Sequence, residues 1–520
     1  MHSSLQQSGE QRQVLLLAVL VGISFFAGLG SAPLFDVDEG AFSEATREMI
    51  ASGNYLTTYL NGHPRFDKPV LIYWFQVLSV KTFGLNEFAF RFPSAAASAI
   101  WAAALYRFTR MELGRETAFP ATLFMVLSLQ VTIIAKAAIA DGLLNCCLAV
   151  TMFAVYTHYR TGSPASRYLA FAAAGLGVLT KGPVAILIPG AVSFLFFMQQ
   201  GELKKWLKTV LNLRAILLFL AIVMPWYTLE YLDQGMAFVE GFLFKHNVNR
   251  FSSSLEGHSG SLFYYFPVLL IGLMPFTGML FTILFNLKKL LSEPLNRYLL
   301  IWFAFVFVFF SLSGTKLPHY MIYGYTPLFI LMARLFAEVK KPRILVLWPV
   351  FFLLLFAALP LLIPVAAARI DDLYILAVLD SALRLTGTDH SLLLAGAALL
   401  IAALQFVPAF SPRSRLVAGG LVFCLCINFH IMPLAARLLQ EPVKEAALLS
   451  KSRGYKVVMW KVYYPSFLLY SHSFAEKRAP EKGEIVLTTV KYLERLENPE
   501  LLYSKHGIVL VKNNEMRPRP

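Results

Sequence analysis

The chain has 520 residues, 57% of them hydrophobic and 14% aromatic, and a formal net charge of +15. With a mean hydropathy of +0.60, it is too apolar for a soluble protein, whose apolar share is nearer half. The positive charge does not indicate nucleic acid, because the basic residues fall in alternate short loops between apolar runs.

Windows long enough to cross ~30 Å of hydrocarbon fall near 14–35, 89–106, 117–135, 138–158, 168–180, 183–200, 215–232, 261–286, 298–313, 320–337, 344–366, 391–410 and 416–433. The expected fold class is therefore a polytopic α-helical membrane protein with about 13 transmembrane helices. Six loops carry the cations: Arg107, Arg110 and Arg115; Arg160 and Arg167; Lys204, Lys205, Lys208 and Arg214; Lys288, Lys289 and Arg297; Lys340, Lys341 and Arg343; Arg413 and Arg415. The positive-inside rule puts these loops and the N-terminus in the cytoplasm. The loop from Asp36 to Arg91, the other odd-numbered loops and the tail from Leu434 then lie outside. Arg12 and Gly30-Ser31-Ala32 imitate a signal peptide, but the apolar run between them is too long for an h-region. Cys146, Cys147, Cys424 and Cys426 all fall inside predicted spans and read as packing residues.

The first outer loop opens on Asp36-Val37-Asp38-Glu39, and Ser43 to Met49 follows at helical spacing, so Asp38 or Glu39 belongs near a helix N-terminus. Residues 55–68 read as extended or looped, and Pro69 to Gly84 as an amphipathic helix lying on the membrane surface. Asp141 ends the next outer turn at the membrane boundary, where a carboxylate is costly unless it meets water or a partner. Lys181, in Thr180-Lys181-Gly182-Pro183, reads as a cation snorkelling to lipid headgroups. A long outer loop from Asp233 to Gly260 carries His246 and Arg250, and a further outer turn carries Lys316, His319 and Tyr320. From Leu434 the composition changes: strand-like runs at 457–460, 484–487 and 507–511 alternate with helical stretches at 441–450 and 489–496. The expected domains are thus residues 1–433 in the membrane, with the 36–91 loop outside it, and a small extracytoplasmic α/β domain at 434–520.

The run Asp38-Glu39-Gly40-Ala41-Phe42-Ser43-Glu44-Ala45-Thr46-Arg47-Glu48-Met49, then Phe66-Asp67-Lys68-Pro69 with Tyr73-Trp74, Arg91 and Gly314-Thr315-Lys316-Leu317-Pro318-His319-Tyr320, resembles the bacterial branch of the protein O-mannosyltransferase superfamily. The resemblance implies a GT-C fold and inverting transfer of a sugar from a polyprenyl phosphate outside the cytoplasm. The protein would sit in the inner membrane with a periplasmic active site. The acceptor would be lipid A or another glycolipid, a glycan or a protein; membrane lipids are partners, and nucleic acid is not. Carried over by position, Asp38, Glu39 and Asp141 are the catalytic candidates, and Lys68, Arg250, Lys316 and Tyr320 the donor-phosphate candidates. Asp67 and His246 match a pair that can hold a divalent metal in relatives, although the usual glutamate is here the shorter Asp67. No nucleotide cofactor is expected. The competing class is a secondary transporter of an anionic or lipid-linked solute, which would show related halves and charges at mid-membrane.

Overall fold

A computed structural model describes residues 2–249, 260–339 and 342–516. Among them, five helices are long and apolar enough to cross a membrane, or up to eight if each bent pair forms one span. The chain is thus a polytopic α-helical membrane protein. Several predicted windows are realised as short or broken helices, such as Val184–Gln199 and the pair Tyr265–Gly272 and Gly278–Phe285. The 117–135 window is two helices, Arg115–Leu127 and Leu129–Ala135, bent by 67°. Ser128 absorbs the break: its hydroxyl donates to the Phe124 carbonyl at 2.6 Å, and the next N–H, Leu129, donates to the Met274 carbonyl at 2.8 Å.

One continuous apolar core joins the helices through large buried side chains, among them Trp101, Trp302, Tyr298, Tyr323 and Tyr325. Helix Asp141–Thr161 packs against Pro164–Lys181 on one side and Glu87–Leu113 on the other. The four cysteines are free thiols, three of them buried, as expected of packing residues.

The 36–91 loop folds as two helices joined by a small hairpin. Helix Asp38–Ser52 starts at the acidic pair, Tyr59–Leu60 pairs with His63–Pro64, and helix Leu71–Phe83 buries Tyr73, Gln76 and Val80 while exposing Trp74, Phe75 and Leu78. That exposed aromatic and aliphatic face suits a helix lying on the membrane surface.

The tail forms a four-stranded sheet in the order Val457–Met459, Ile485–Thr489, Ile508–Lys512, Glu500–Lys505, parallel at the first pairing and antiparallel at the others. Three of these strands match predicted runs; Glu500–Lys505 has no such counterpart, because its charges and weak burial hide the alternation. The helical expectation at 489–496 is a 3-10 turn, Val490–Arg495. Helix Leu373–Leu385 also lies outside the predicted windows, and its Tyr374 packs on the core beneath this sheet.

The tail touches the first loop directly. The Ser466 N–H donates to Asp36 Oδ1 at 2.9 Å, and the Ser466 hydroxyl meets Asp36 Oδ2. Asn61 exchanges two hydrogen bonds with the Ala475 backbone at 2.9 and 3.0 Å. Gly40 sits under this contact, where a Cβ would come within 2.5 Å of the Ser466 nitrogen, so the glycine after the acidic pair is required by close approach.

Candidate active site

Adjacent side chains on a helix diverge by ~100°, and Asp38 and Glu39 do so. Glu39 turns inward and is 5% exposed. Arg91 grips it with Nε on Oε1 and Nη2 on Oε2, both at 2.8 Å, and the N–H groups of Phe35 and Ala138 donate to the same carboxylate at 2.8 and 2.7 Å. Arg91 gives its other N–H groups to the carbonyls of Leu29, Ala32 and Pro33. Glu39 is therefore a clamp between the first loop and the helix bundle.

Asp38 faces the other way, exposed in a cavity of about 380 Å³. The same cavity is lined by Asp67, Lys68, Asp141, Lys181, His246 and Tyr320, which converge from distant stretches of chain. A second cavity of about 440 Å³ shares Asp67, Lys68, Lys181, His246 and Tyr320 with the first. Beyond them its wall is mainly apolar, with Val184, Leu187, Leu243, Phe309 and Phe310 beside Asn247, Ser313 and Tyr323. A polar, cation-bearing chamber thus opens into a greasy trough.

Asp141 begins helix Asp141–Thr161, and Lys181 ends helix Pro164–Lys181. A turn at Gly162 and Ser163 makes these an antiparallel hairpin, so the first residue of one meets the last residue of the other. Lys181 Nζ lies 2.7 Å from Asp141 Oδ1 and 2.6 Å from the Tyr323 hydroxyl, which itself donates to Asp141 at 2.5 Å. Lys181 is buried, 9% exposed, which corrects the expectation that it snorkels to headgroups: its hairpin partner Asp141 takes its ammonium instead. The sequence holds the signal, opposite charges at the two open ends of one predicted hairpin.

Lys316 differs as well. Its ammonium donates to the carbonyls of Ser311 and Ser313 at 2.9 and 2.6 Å, where helix Pro294–Leu312 ends, and the residue does not line either cavity. A lysine at a helix C-terminus meets unsatisfied carbonyls and the negative end of the dipole. In this structure Lys316 therefore caps the helix end, while its expected donor-phosphate role rests on the resemblance alone. Arg250 lies outside the described residues. Sequence reasoning passes over Arg65 and Tyr463, which also line the chamber.

Asp67 has three basic neighbours. His246 Nε2 lies 2.8 Å from its Oδ1, Arg65 Nη2 lies 3.1 Å from its Oδ2, and Lys68 follows it in sequence. Burial would raise the Asp67 pKa, but Arg65, the His246 hydrogen bond and Lys68 outweigh it and hold the group well below the usual carboxylate range. For a metal, the chain offers here one carboxylate oxygen and one imidazole. Among the described residues no cluster of three His, Cys, Asp or Glu could hold an ion. A guanidinium on the second oxygen opposes a further cation, and catalytic metals ordinarily take three protein ligands. The described residues alone fall short of a metal site.

A helical membrane bundle whose 36–91 loop, acidic helix start and cation-lined chamber meet above an apolar trough shares its fold with solved membrane proteins. A crystal structure of ArnT from Cupriavidus metallidurans bound to undecaprenyl phosphate superposes with a TM-score of 0.80, covering 96% of this chain and 97% of that one at 19% identity. An Archaeoglobus fulgidus oligosaccharyltransferase follows with a TM-score of 0.50, 12% identity and coverage of 99% and 75%. The family model described as dolichyl-phosphate-mannose-protein mannosyltransferase matches residues 67–228. The chain is 30% identical over 326 residues to an undecaprenyl phosphate-alpha-4-amino-4-deoxy-L-arabinose arabinosyl transferase 2 of Proteus mirabilis, a stretch that is 62% of this chain and 58% of that one. It is 31% identical over 313 residues to the corresponding transferase of Aeromonas hydrophila, covering 59% and 56%. The matched stretch thus spans under three fifths of these relatives' length.

Proposed function

We propose that the chain is an inverting glycosyltransferase that moves a sugar from a polyprenyl phosphate to an envelope acceptor at the outer face of the inner membrane. The observation that carries this reading is the joining of the two cavities through Lys68, Lys181, His246 and Tyr320, polar at the Asp38 end and apolar at the other. A phosphate at the junction would have its sugar toward Asp38 and its prenyl chain in the trough. The sugar we propose is a pentose of the kind for which the curated relatives are named. The positive-inside pattern supports a periplasmic site, thirteen spans and an extracytoplasmic 434–520 domain.

Inversion requires the acceptor to attack the anomeric carbon on the face opposite the departing phosphate. The glycosidic C–O bond breaks with its electron pair leaving on the polyprenyl phosphate. Lys68 stabilises that growing charge, aided by the Tyr320 hydroxyl and by Arg250. Asp38 takes the proton of a hydroxyl acceptor; with an acceptor already ionised it positions the nucleophile instead. Asp141, held by Lys181 and Tyr323, fixes the chamber wall. No step passes through a metal.

The test is transfer by the detergent-purified chain from undecaprenyl-phosphate-linked 4-amino-4-deoxy-L-arabinose to phosphorylated lipid A, read by mass spectrometry. Lys68→Ala is expected to lose about ten- to a hundredfold in donor-dependent rate, the loss of one charge-assisted partner. Unmodified acceptor with the native chain, across glycolipid, glycan and protein acceptors, would sink the reading.

A further inference from the structure

Asp38 lines two cavities. Besides the donor chamber, it borders a third space of about 320 Å³ that shares Asp38 and Ile139 with that chamber and is not lined by Lys68. Its walls are mainly apolar, from Leu29, Phe35, Ile133, Ile134 and Met432. Three carboxylates border it, and two are committed: Glu39 to Arg91, and Asp36 to Ser466. That leaves Asp38 as the carboxylate placed for chemistry between the two spaces.

One cation in this wall has no such commitment. Lys136, half-buried where the bent Leu129–Ala135 helix ends, donates to the Ala27 carbonyl at 2.7 Å and lies 5.5 Å from the Phe429 ring centroid. Neither neighbour neutralises its charge, and among the described residues it forms no ion pair. Burial pulls its pKa down to about 8, so it is still largely charged near neutrality. A half-buried ammonium in an apolar wall costs free energy unless something anionic comes to it.

We infer that this third cavity seats the acceptor, a phosphorylated glycolipid, with Lys136 holding an anionic group of its headgroup and the apolar wall taking acyl chain. The inference rests on the transferase reading and adds where its second substrate binds. The placement suits inversion: the cations for the leaving phosphate line one of the two spaces that meet at Asp38, and the acceptor's cation lines the other. If the acceptor phosphate is the nucleophile, its oxygen forms the new C–O bond while the polyprenyl phosphate departs with the old bonding pair, and no proton need be removed. A protein hydroxyl acceptor would have no use for Lys136.

The test separates binding from turnover. The full chain in detergent is titrated with bis-phosphorylated lipid A, with its dephosphorylated counterpart, and with undecaprenyl phosphate. Native protein is expected to prefer the phosphorylated lipid by about tenfold, the worth of one charge-assisted contact. Lys136→Met should erase that preference, Lys136→Arg should keep most of it, and both should bind undecaprenyl phosphate as the native chain does. Ile133→Trp, which fills the cavity while keeping the Lys136 ammonium, should weaken both lipid A forms and spare undecaprenyl phosphate. The inference fails if Lys136→Met keeps the preference, if native protein shows none, or if Ile133→Trp leaves lipid A binding intact. Absence of sugar transfer by the native chain would instead overturn the transferase reading, because the binding arms do not depend on it.

Discussion

Lys181 and Asp141 close the open end of a helical hairpin with a 2.7 Å ion pair, each residue under a tenth exposed. Removing one member of such a pair leaves the other charge buried and uncompensated, at a cost of roughly 3–5 kcal/mol. Lys181→Met is therefore expected to lower the melting temperature of the detergent-solubilised protein sharply, and Asp141→Leu likewise. The double variant should recover most of the loss, since an apolar pair of similar volume has no desolvation cost. Additive losses in the two single variants would mean the pair is not coupled.

Asp38 and Glu39 are neighbours with separable roles. Asp38→Asn keeps shape and removes a base, so turnover should drop by about a hundredfold or more with a hydroxyl acceptor, with the melting curve unchanged. Glu39→Gln breaks a bidentate pair with buried Arg91, so it should show first as reduced thermal stability and yield. Near-native turnover in Asp38→Asn, with activity lost in Asp141→Asn at equal folded yield, would move the base to Asp141.

Much of this site is legible in the sequence, because its residues lie at places where local rules are strong. The acidic pair at a helix start and the helix after Pro69 follow from capping and periodicity. Local rules alone do not tell Lys181 from Lys316, since both are lysines beside helix-breaking residues and only the tertiary partner separates them. Lys181 finds Asp141 across a hairpin; Lys316 finds carbonyls a few residues back. The commitment of Asp36 to Ser466, 430 residues away, has no local signal at all.

Metal removal gives a direct outcome. With one carboxylate oxygen and one imidazole at the Asp67–His246 contact, and Arg65 on the second oxygen, chelation should leave transfer unchanged. Exhaustive dialysis against EDTA and then 1,10-phenanthroline, followed by elemental analysis and rate measurement, checks this. Activity lost on chelation and restored by a stoichiometric divalent ion would require Arg65 to move away and the substrate phosphate to complete the ligand set.

Asp36 makes the contact between tail and first loop sensitive to pH. Burial is the main cause that lifts its pKa from 3.8 to about 7, with the hydrogen bonds from Ser466 opposing the rise. Because the folded-state value lies above the ordinary one, the folded form binds the proton more tightly. The contribution is complete below about pH 4 and is lost as pH rises through 7. The protonated carboxyl accepts from the Ser466 N–H with one oxygen and can donate to the Ser466 hydroxyl with the other; the carboxylate can only accept. An asparagine side chain at this position would offer the same donor and acceptor at every pH. The melting temperature of the native chain is therefore expected to fall between pH 5 and pH 8 by more than that of Asp36→Asn. The two proteins should converge at pH 5 and Asp36→Asn should be the more stable at pH 8. Since the same loop carries Asp38 two residues on, a Ser466→Ala chain should lose both the pH-dependent difference and part of its turnover. Parallel pH profiles for the native chain and Asp36→Asn would show that the carboxyl is ionised in the folded protein throughout, and that the tail is held to the loop by Asn61 and Ala475 instead.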